Sequence, residues 1–108
     1  MEIAFEKDYL RELYETGKTT SKKYRFQPQV VNGYLKCVGV LINAENMEEL
    51  FGYNSLRYEK LKGDKKGISS LRINDQYRLE FRELIRNDDN DVIGITICSL
   101  TDISNHYK

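Results

Sequence analysis

Histidine is almost absent from this chain of 108 residues, His106 being the only one. A three-histidine metal site is therefore impossible, and neither HExxH nor a comparable spacing occurs, so metal catalysis is not expected. A serine triad would have to use His106, and no nucleophile elbow is present. Proline is equally scarce: Pro28 stands alone, which argues against long irregular linkers. The two cysteines, Cys37 and Cys98, lie far apart in apolar stretches and form no CxxC pair, which makes them core thiols rather than disulfide partners or metal ligands. No apolar run approaches the roughly 18 residues needed to span a bilayer. The opening MEIAFEKDYL carries acids where a leader would carry bases, so a cytoplasmic protein without a membrane partner is expected. The loop LKGDKKG (61–67) lacks the GxxxxGK[ST] spacing of a phosphate-binding P-loop, and no cofactor is expected.

Net charge is missing as well, with 17 Lys and Arg against 17 Asp and Glu, so any attraction to nucleic acid has to come from uneven distribution. Between Lys18 and Arg25 there are four bases (Lys18, Lys22, Lys23, Arg25) and no acid. Between Arg57 and Arg86 nine bases face five acids, while other acids gather at 45–49 and 88–91. The distribution fits either a basic surface on a neutral protein or a mixed solvated one.

What is present in quantity is periodic apolar sequence. Glu2–Phe5 alternates weakly, as a short strand would. Tyr9, Leu10, Leu13 and Tyr14 share one helical face, and Gly17 is placed to end that helix. Pro28 suits a first helical turn, and Val30, Val31, Tyr34, Leu35, Val38, Leu41 and Ile42 recur at three- and four-residue intervals, predicting a core helix. A short turn or helix follows at 43–50, and 51–58 reads as a loop. From Ile68 the period becomes two: Leu71 and Ile73, then Tyr77, Leu79 and Phe81, with Asn74–Asp75 as the turn of an antiparallel hairpin. A second turn at 86–91 leads to a strand through Ile93, Ile95 and Ile97 that ends near Leu100, leaving 101–108 as a polar tail. One domain over residues 1–108 is expected, of α+β class, with N-terminal helices packed on a small antiparallel β-sheet.

Strand parity makes a chemical statement. If Leu71, Ile73, Tyr77, Leu79 and Phe81 face the helices, then Arg72, Arg78 and Arg82 share the other face. Guanidinium groups there would suit phosphate oxygens, or pair across strands with Glu80 and Glu83. The loop bearing Lys62, Lys65 and Lys66 is either a solvated turn or a basic strand-end that follows an RNA backbone. Eight of the twelve aromatic residues are tyrosine. Of these, Tyr53, Tyr58 and Tyr107 stand in loops or the tail, where stacking on bases is open to them.

Taken together, LKGDKKGISSLRINDQYRLEFR (61–82), DVIGITICSL (91–100) and TDISNHYK (101–108) resemble the HigB-like branch of the RelE/ParE toxin superfamily. The lysine-glycine loop, arginine-bearing strand, Asn-Asp turn and Gln-Tyr-Arg strand follow the family's order. The resemblance implies an RelE/ParE-like fold and a type II toxin–antitoxin system. It further implies a ribosome-dependent mRNA interferase that cuts mRNA through attack of the ribose 2′-hydroxyl, without metal, and a cognate antitoxin of helix-turn-helix type. It casts Lys62, Arg72 and Arg78 as holders of the scissile phosphate and His106 as acid or base. Where some relatives carry a second histidine before the loop, this chain has Tyr58 and Glu59, and the resemblance leaves Glu59 as the candidate for the vacant role. Lys65, Lys66, Arg82 and Tyr107 complete the RNA-binding set. Two other outcomes stay open from sequence: a ParE-like toxin that acts on gyrase by protein binding, and a non-catalytic antitoxin-binding module of the same fold.

Overall fold

The computed structural model describes residues 1–87 and 94–105. Seven main elements follow one another: β1 (Glu2–Phe5), α1 (Asp8–Thr16), α2 (Pro28–Asn43), β2 (Glu59–Lys60), β3 (Ile68–Arg72), β4 (Tyr77–Arg86) and β5 (Ile95–Asn105). Short 3-10 turns punctuate the connections at Lys22–Tyr24, Met47–Gly52, Asn54–Leu56 and Gly63–Lys65. The strands form one sheet in the order β1-β5-β4-β3-β2, with β1 parallel to β5 and the other neighbours antiparallel. The class is α+β, as the change of period from helical to alternating implies.

The helices form where the apolar spacing requires them. In α1, Tyr9, Leu10 and Leu13 are buried, and Gly17 closes the helix in the left-handed region (φ 77°), its N–H donating to the Leu13 carbonyl at 2.9 Å. Tyr14 departs from the expected stripe: it is exposed, with its ring 5.5 Å from that of Phe5. Pro28 opens α2, whose face of Val30, Val31, Tyr34, Cys37, Val38 and Leu41 is buried. Ile42 lies about 100° round the helix from Leu41 and remains exposed. The Tyr34 hydroxyl donates to the Leu10 carbonyl at 2.7 Å and so ties α2 to α1. Gly33 brings α2 against the end of β3, where a Cβ would stand 2.8 Å from Ile73 Cγ2 and 3.0 Å from the Ile73 carbonyl oxygen.

The C-terminal part corrects the expectation of a tail starting at Thr101. β5 continues to Asn105, because an irregularity at Glu80/Phe81 pairs Phe81 with Leu100 but Glu80 with Asp102, leaving Thr101 unopposed. Leu100 and Ile103 are three residues apart, so simple alternation would put them on opposite faces. The extra residue restores parity, and both are buried. Earlier in β5 the buried side is Cys98 and Leu100, while Ile95 and Ile97 are only partly covered. Ile93 and most of the expected second turn lie outside the described residues, and Arg86 belongs to β4. The segment expected as a loop, 51–58, instead makes 3-10 turns that bury Leu56, and leads directly into β2.

Candidate functional site

Pairing of Leu71 with Leu79 and of Ser69 with Phe81 turns those side chains toward the helices. The alternate pairs, Arg72 with Arg78, Ser70 with Glu80 and Ile68 with Arg82, therefore share the outer face. In β5, Ser104 stands opposite Arg78, so Arg72, Arg78 and Ser104 form one row across three strands.

Arg78 is the most enclosed cation of the row, only 8% exposed. Its Nε donates to Ser70 Oγ at 2.9 Å, a terminal nitrogen donates to the Arg57 carbonyl at 2.8 Å, and Glu59 lies at 3.4 Å. Arg57 adopts a left-handed backbone (φ 45°), uncommon for a residue with a Cβ, and its carbonyl is an acceptor for Arg78. The chain from Arg57 through β2 thus folds along Arg78 and fixes its guanidinium from one side. Glu80, also buried on this face, pairs with Lys65 at 2.7 Å, which fastens the 61–67 loop to the sheet. Arg72 forms a close ion pair with Asp75 in the hairpin turn, and Arg82 pairs with Glu6 at 3.2 Å.

The arginines therefore do share a face, but each has a carboxylate partner, and the partners are not the cross-strand Glu80 and Glu83. Glu80 is taken by Lys65. Glu83 accepts from the Tyr58 hydroxyl at 2.9 Å and from Ser69 Oγ at 2.6 Å. Lys62 and Lys66 are exposed and have no ion-pair partner among the described residues. Tyr58 is not a free stacking platform: its ring lies 5.1 Å from Phe51 and 6.3 Å from Phe81. Tyr53 remains exposed. His106 and Tyr107 lie outside the described residues, which end at Asn105, opposite Tyr77 and next to the Arg78–Ser104 pair.

Burial governs the titrating groups. It pushes the Cys37 thiol up to about 12 and the Cys98 thiol up to about 11, leaving both as protonated core groups with no nucleophilic character. Tyr58 is pushed up to about 12, by burial first and then by its bond to Glu83. Among the described residues, no three His, Cys, Asp or Glu side chains gather in a way that would hold a metal ion. No helix among them is long and apolar enough to cross a membrane.

Sequence reasoning missed Ser70 and Arg57 as parts of this site, and placed Glu80 there only as a cross-strand partner of the arginines, not of Lys65. Ser70 and Glu80 were visible in the parity that selected Arg72, Arg78 and Arg82. The Arg57 carbonyl, a backbone group brought in by a turn, had no sequence signal.

The family described as "RelE-like toxin of type II toxin-antitoxin system HigB" matches residues 3–95. The chain belongs to this HigB-like toxin family. That span includes Lys62, Arg72 and Arg78 and ends before His106. Among solved structures, the "YoeB/ParE toxin from Agrobacterium tumefaciens" superposes with a TM-score of 0.52 over 99% of this chain and 100% of the other, at 18% identity. At that identity the likeness is one of fold. No curated protein matches the sequence. Membership of a HigB-like type II family implies a cognate antitoxin as partner.

Proposed function

We propose that this HigB-like toxin is a ribosome-dependent messenger-RNA endoribonuclease that works without metal. The observation that carries the reading is the row of Arg72, Arg78 and Ser104, two guanidiniums at paired positions beside the strand that leads to His106. In the reaction, the ribose 2′-oxygen attacks the adjacent phosphorus and gives its proton to a base. The bond from phosphorus to the 5′-oxygen breaks, and that oxygen takes a proton from an acid, leaving a cyclic phosphate and a 5′-hydroxyl. Charge accumulates on the non-bridging oxygens, where prearranged cations act most strongly.

Arg78 suits that task because three partners already hold its guanidinium, so little reorganisation accompanies catalysis. Arg72 is held by Asp75, a carboxylate 88% exposed, and exposed ion pairs of this kind are weak enough for a phosphate to displace. Lys62 supplies a charge with no partner of its own among the described residues. His106 is the acid or base, with Glu59 as the second proton-transfer group. Lys66, Tyr107, Arg82 and Lys65 extend the RNA contact, the last two while shared with Glu6 and Glu80. The proposed setting is the cytoplasm, on a translating ribosome, under restraint by a helix-turn-helix antitoxin.

One observation favours a second reading, in which the fold serves only to bind its antitoxin: both arginines of the row, and Arg82 on the same face, are already paired with a carboxylate. Induced expression of the wild type and of His106→Ala, with mapping of messenger 5′ ends in translating cells, separates the two. The expected result is cuts at ribosome-positioned sites that fall by about 100-fold or more in the variant, the usual weight of a general acid–base group. Growth arrest with intact messages would overturn the reading in favour of a protein-directed toxin, a DNA-damage response pointing to gyrase. Absence of arrest would favour the binding module.

A further inference from the structure

Two clusters of exposed cations in this neutral protein have no ion-pair partner among the described residues: Arg57, Lys60, Lys62 and Lys66 around β2, and a second cluster between the two helices. On the sheet and the first helix most other cations are matched: Arg72 with Asp75, Arg78 with Glu59, Arg82 with Glu6, Lys65 with Glu80, Lys7 with Asp102 and Arg11 with Asp8. In the connection between α1 and α2, Lys18, Lys22, Lys23 and Arg25 are exposed, and none of the four side chains has an ion-pair partner among the described residues. The Glu12 carboxylate reaches this connection, but it is engaged by the Thr19 hydroxyl at 2.6 Å and the Thr20 N–H at 3.4 Å.

The connection is held in place. Tyr24 stacks on Tyr9 at 3.7 Å, nearly parallel, and its ring lies 6.4 Å from that of Phe26, which meets Tyr77 edge-on at 5.3 Å. Between this segment and the β3–β4 turn opens a groove of about 330 Å³, whose polar lining comes from Arg25, Gln27, Gln29, Asn74 and Gln76, beside the Tyr77 ring. Tyr77 immediately precedes Arg78 and pairs with Asn105, so the groove adjoins the end of the sheet where the arginine row lies.

We propose that the α1–α2 connection is the surface that grips RNA phosphates, with the groove receiving the backbone next to the cleaved position. The inference rests on the ribonuclease reading above and assigns affinity to a different part of the molecule from chemistry. The matched arginines attract a polyanion little from a distance, because each brings a carboxylate with it. The unmatched segment offers four charges without a carboxylate partner among the described residues, Lys23 lying 5.3 Å over the Tyr24 ring, to replace condensed counterions. Carboxamides that donate and accept, next to an aromatic ring, suit ribose and base edges as well as phosphate. This combination favours RNA over an acidic protein segment as the occupant.

The test is the triple variant K22Q/K23Q/R25Q, with K36Q on α2 as a control that removes charge away from the groove. All four side chains are exposed, and an unchanged thermal midpoint verifies the fold. Equilibrium binding is measured against salt concentration with a labelled single-stranded RNA oligonucleotide, and separately with message-free ribosomes. Single-stranded RNA loses about 0.7 of salt slope per neutralised contact. The triple variant should therefore lose about 2 from the slope and bind about 100-fold more weakly at about 0.1 M salt, with K36Q unchanged. A loss on the oligonucleotide identifies the message as the strand held, whereas a loss on ribosomes alone would overturn that assignment in favour of ribosomal RNA. Wild-type affinity and slope in the triple variant for both probes would overturn the proposal, as would a loss confined to binding of the antitoxin. Cleavage by a wild type whose triple variant keeps its slope leaves the ribonuclease reading standing without this surface. A wild type that binds through these residues but never cuts does the reverse.

Discussion

Arg78 shows how one side chain serves both the fold and the proposed chemistry. Its guanidinium joins three elements that are distant in sequence: Ser70 on β3, the carbonyl of Arg57, and Glu59 on β2. Hydrogen bonds to charged groups contribute about 1.5–3 kcal/mol each when buried. The Glu59 contact, on a side chain 52% exposed, contributes little by comparison. Arg78→Ala should therefore lower stability by about 3 kcal/mol or more in urea unfolding, while Ser70→Ala, which removes one bond, should cost about 1.5 kcal/mol. Equal stability of wild type and Arg78→Ala would show that the three contacts are not made together. Parity alone identified the face on which Arg78 lies, because neighbouring core residues leave an alternating strand no choice. Its burial was not legible, since it depends on the 57–60 segment lying across that face.

At the scale of elements, α2 is the piece whose existence and docking are best explained. Its apolar spacing and its opening proline account for the helix, and Gly33 accounts for its closeness to β3. Alanine at that position would raise helix propensity by about 1 kcal/mol. It would also drive a methyl group to 2.8 Å from Ile73 Cγ2 and 3.0 Å from a backbone oxygen. Overpacking of this kind costs about 1–3 kcal/mol, and the backbone atom has less freedom to retreat than the side chain. Gly33→Ala is therefore expected to destabilise by about 1 kcal/mol net, seen as a lower urea midpoint at unchanged slope. A more stable variant would mean that β3 gives way easily. The length of β5 is the contrasting case. Its polar TDISN segment looks like a tail, and only the unopposed Thr101 lets Ile103 return to the core.

Over the whole molecule, the buried thiols and tyrosines act together on stability. Cys37, Cys98 and Tyr58 are held by burial to about 12, 11 and 12, against ordinary values of 9.0 for the thiols and 10.0 for the phenol. Tyr9 and Tyr34 are pushed in the same direction. Each group keeps its proton more tightly folded than unfolded. Their contribution is thus whole below about pH 9 and is lost as pH rises through about 11–12. Unfolding free energy measured by urea between about pH 7 and 10.5 should fall steadily above about pH 9, and a flat profile would mean that these groups are reached by water. The sequence by itself determined the α+β class, the two helices, the β3–β4 hairpin and the face carrying Arg72, Arg78 and Arg82, because local periodicity and turn chemistry act over a few residues. Tertiary structure alone decided which carboxylate meets which cation, the parallel pairing of β1 with β5, the register shift beside Thr101, and the lack of an ion-pair partner, among the described residues, for the four cations of the α1–α2 connection. Those outcomes depend on contacts between residues up to ninety or so positions apart, such as Ser99 with Glu6, and no local pattern encodes them.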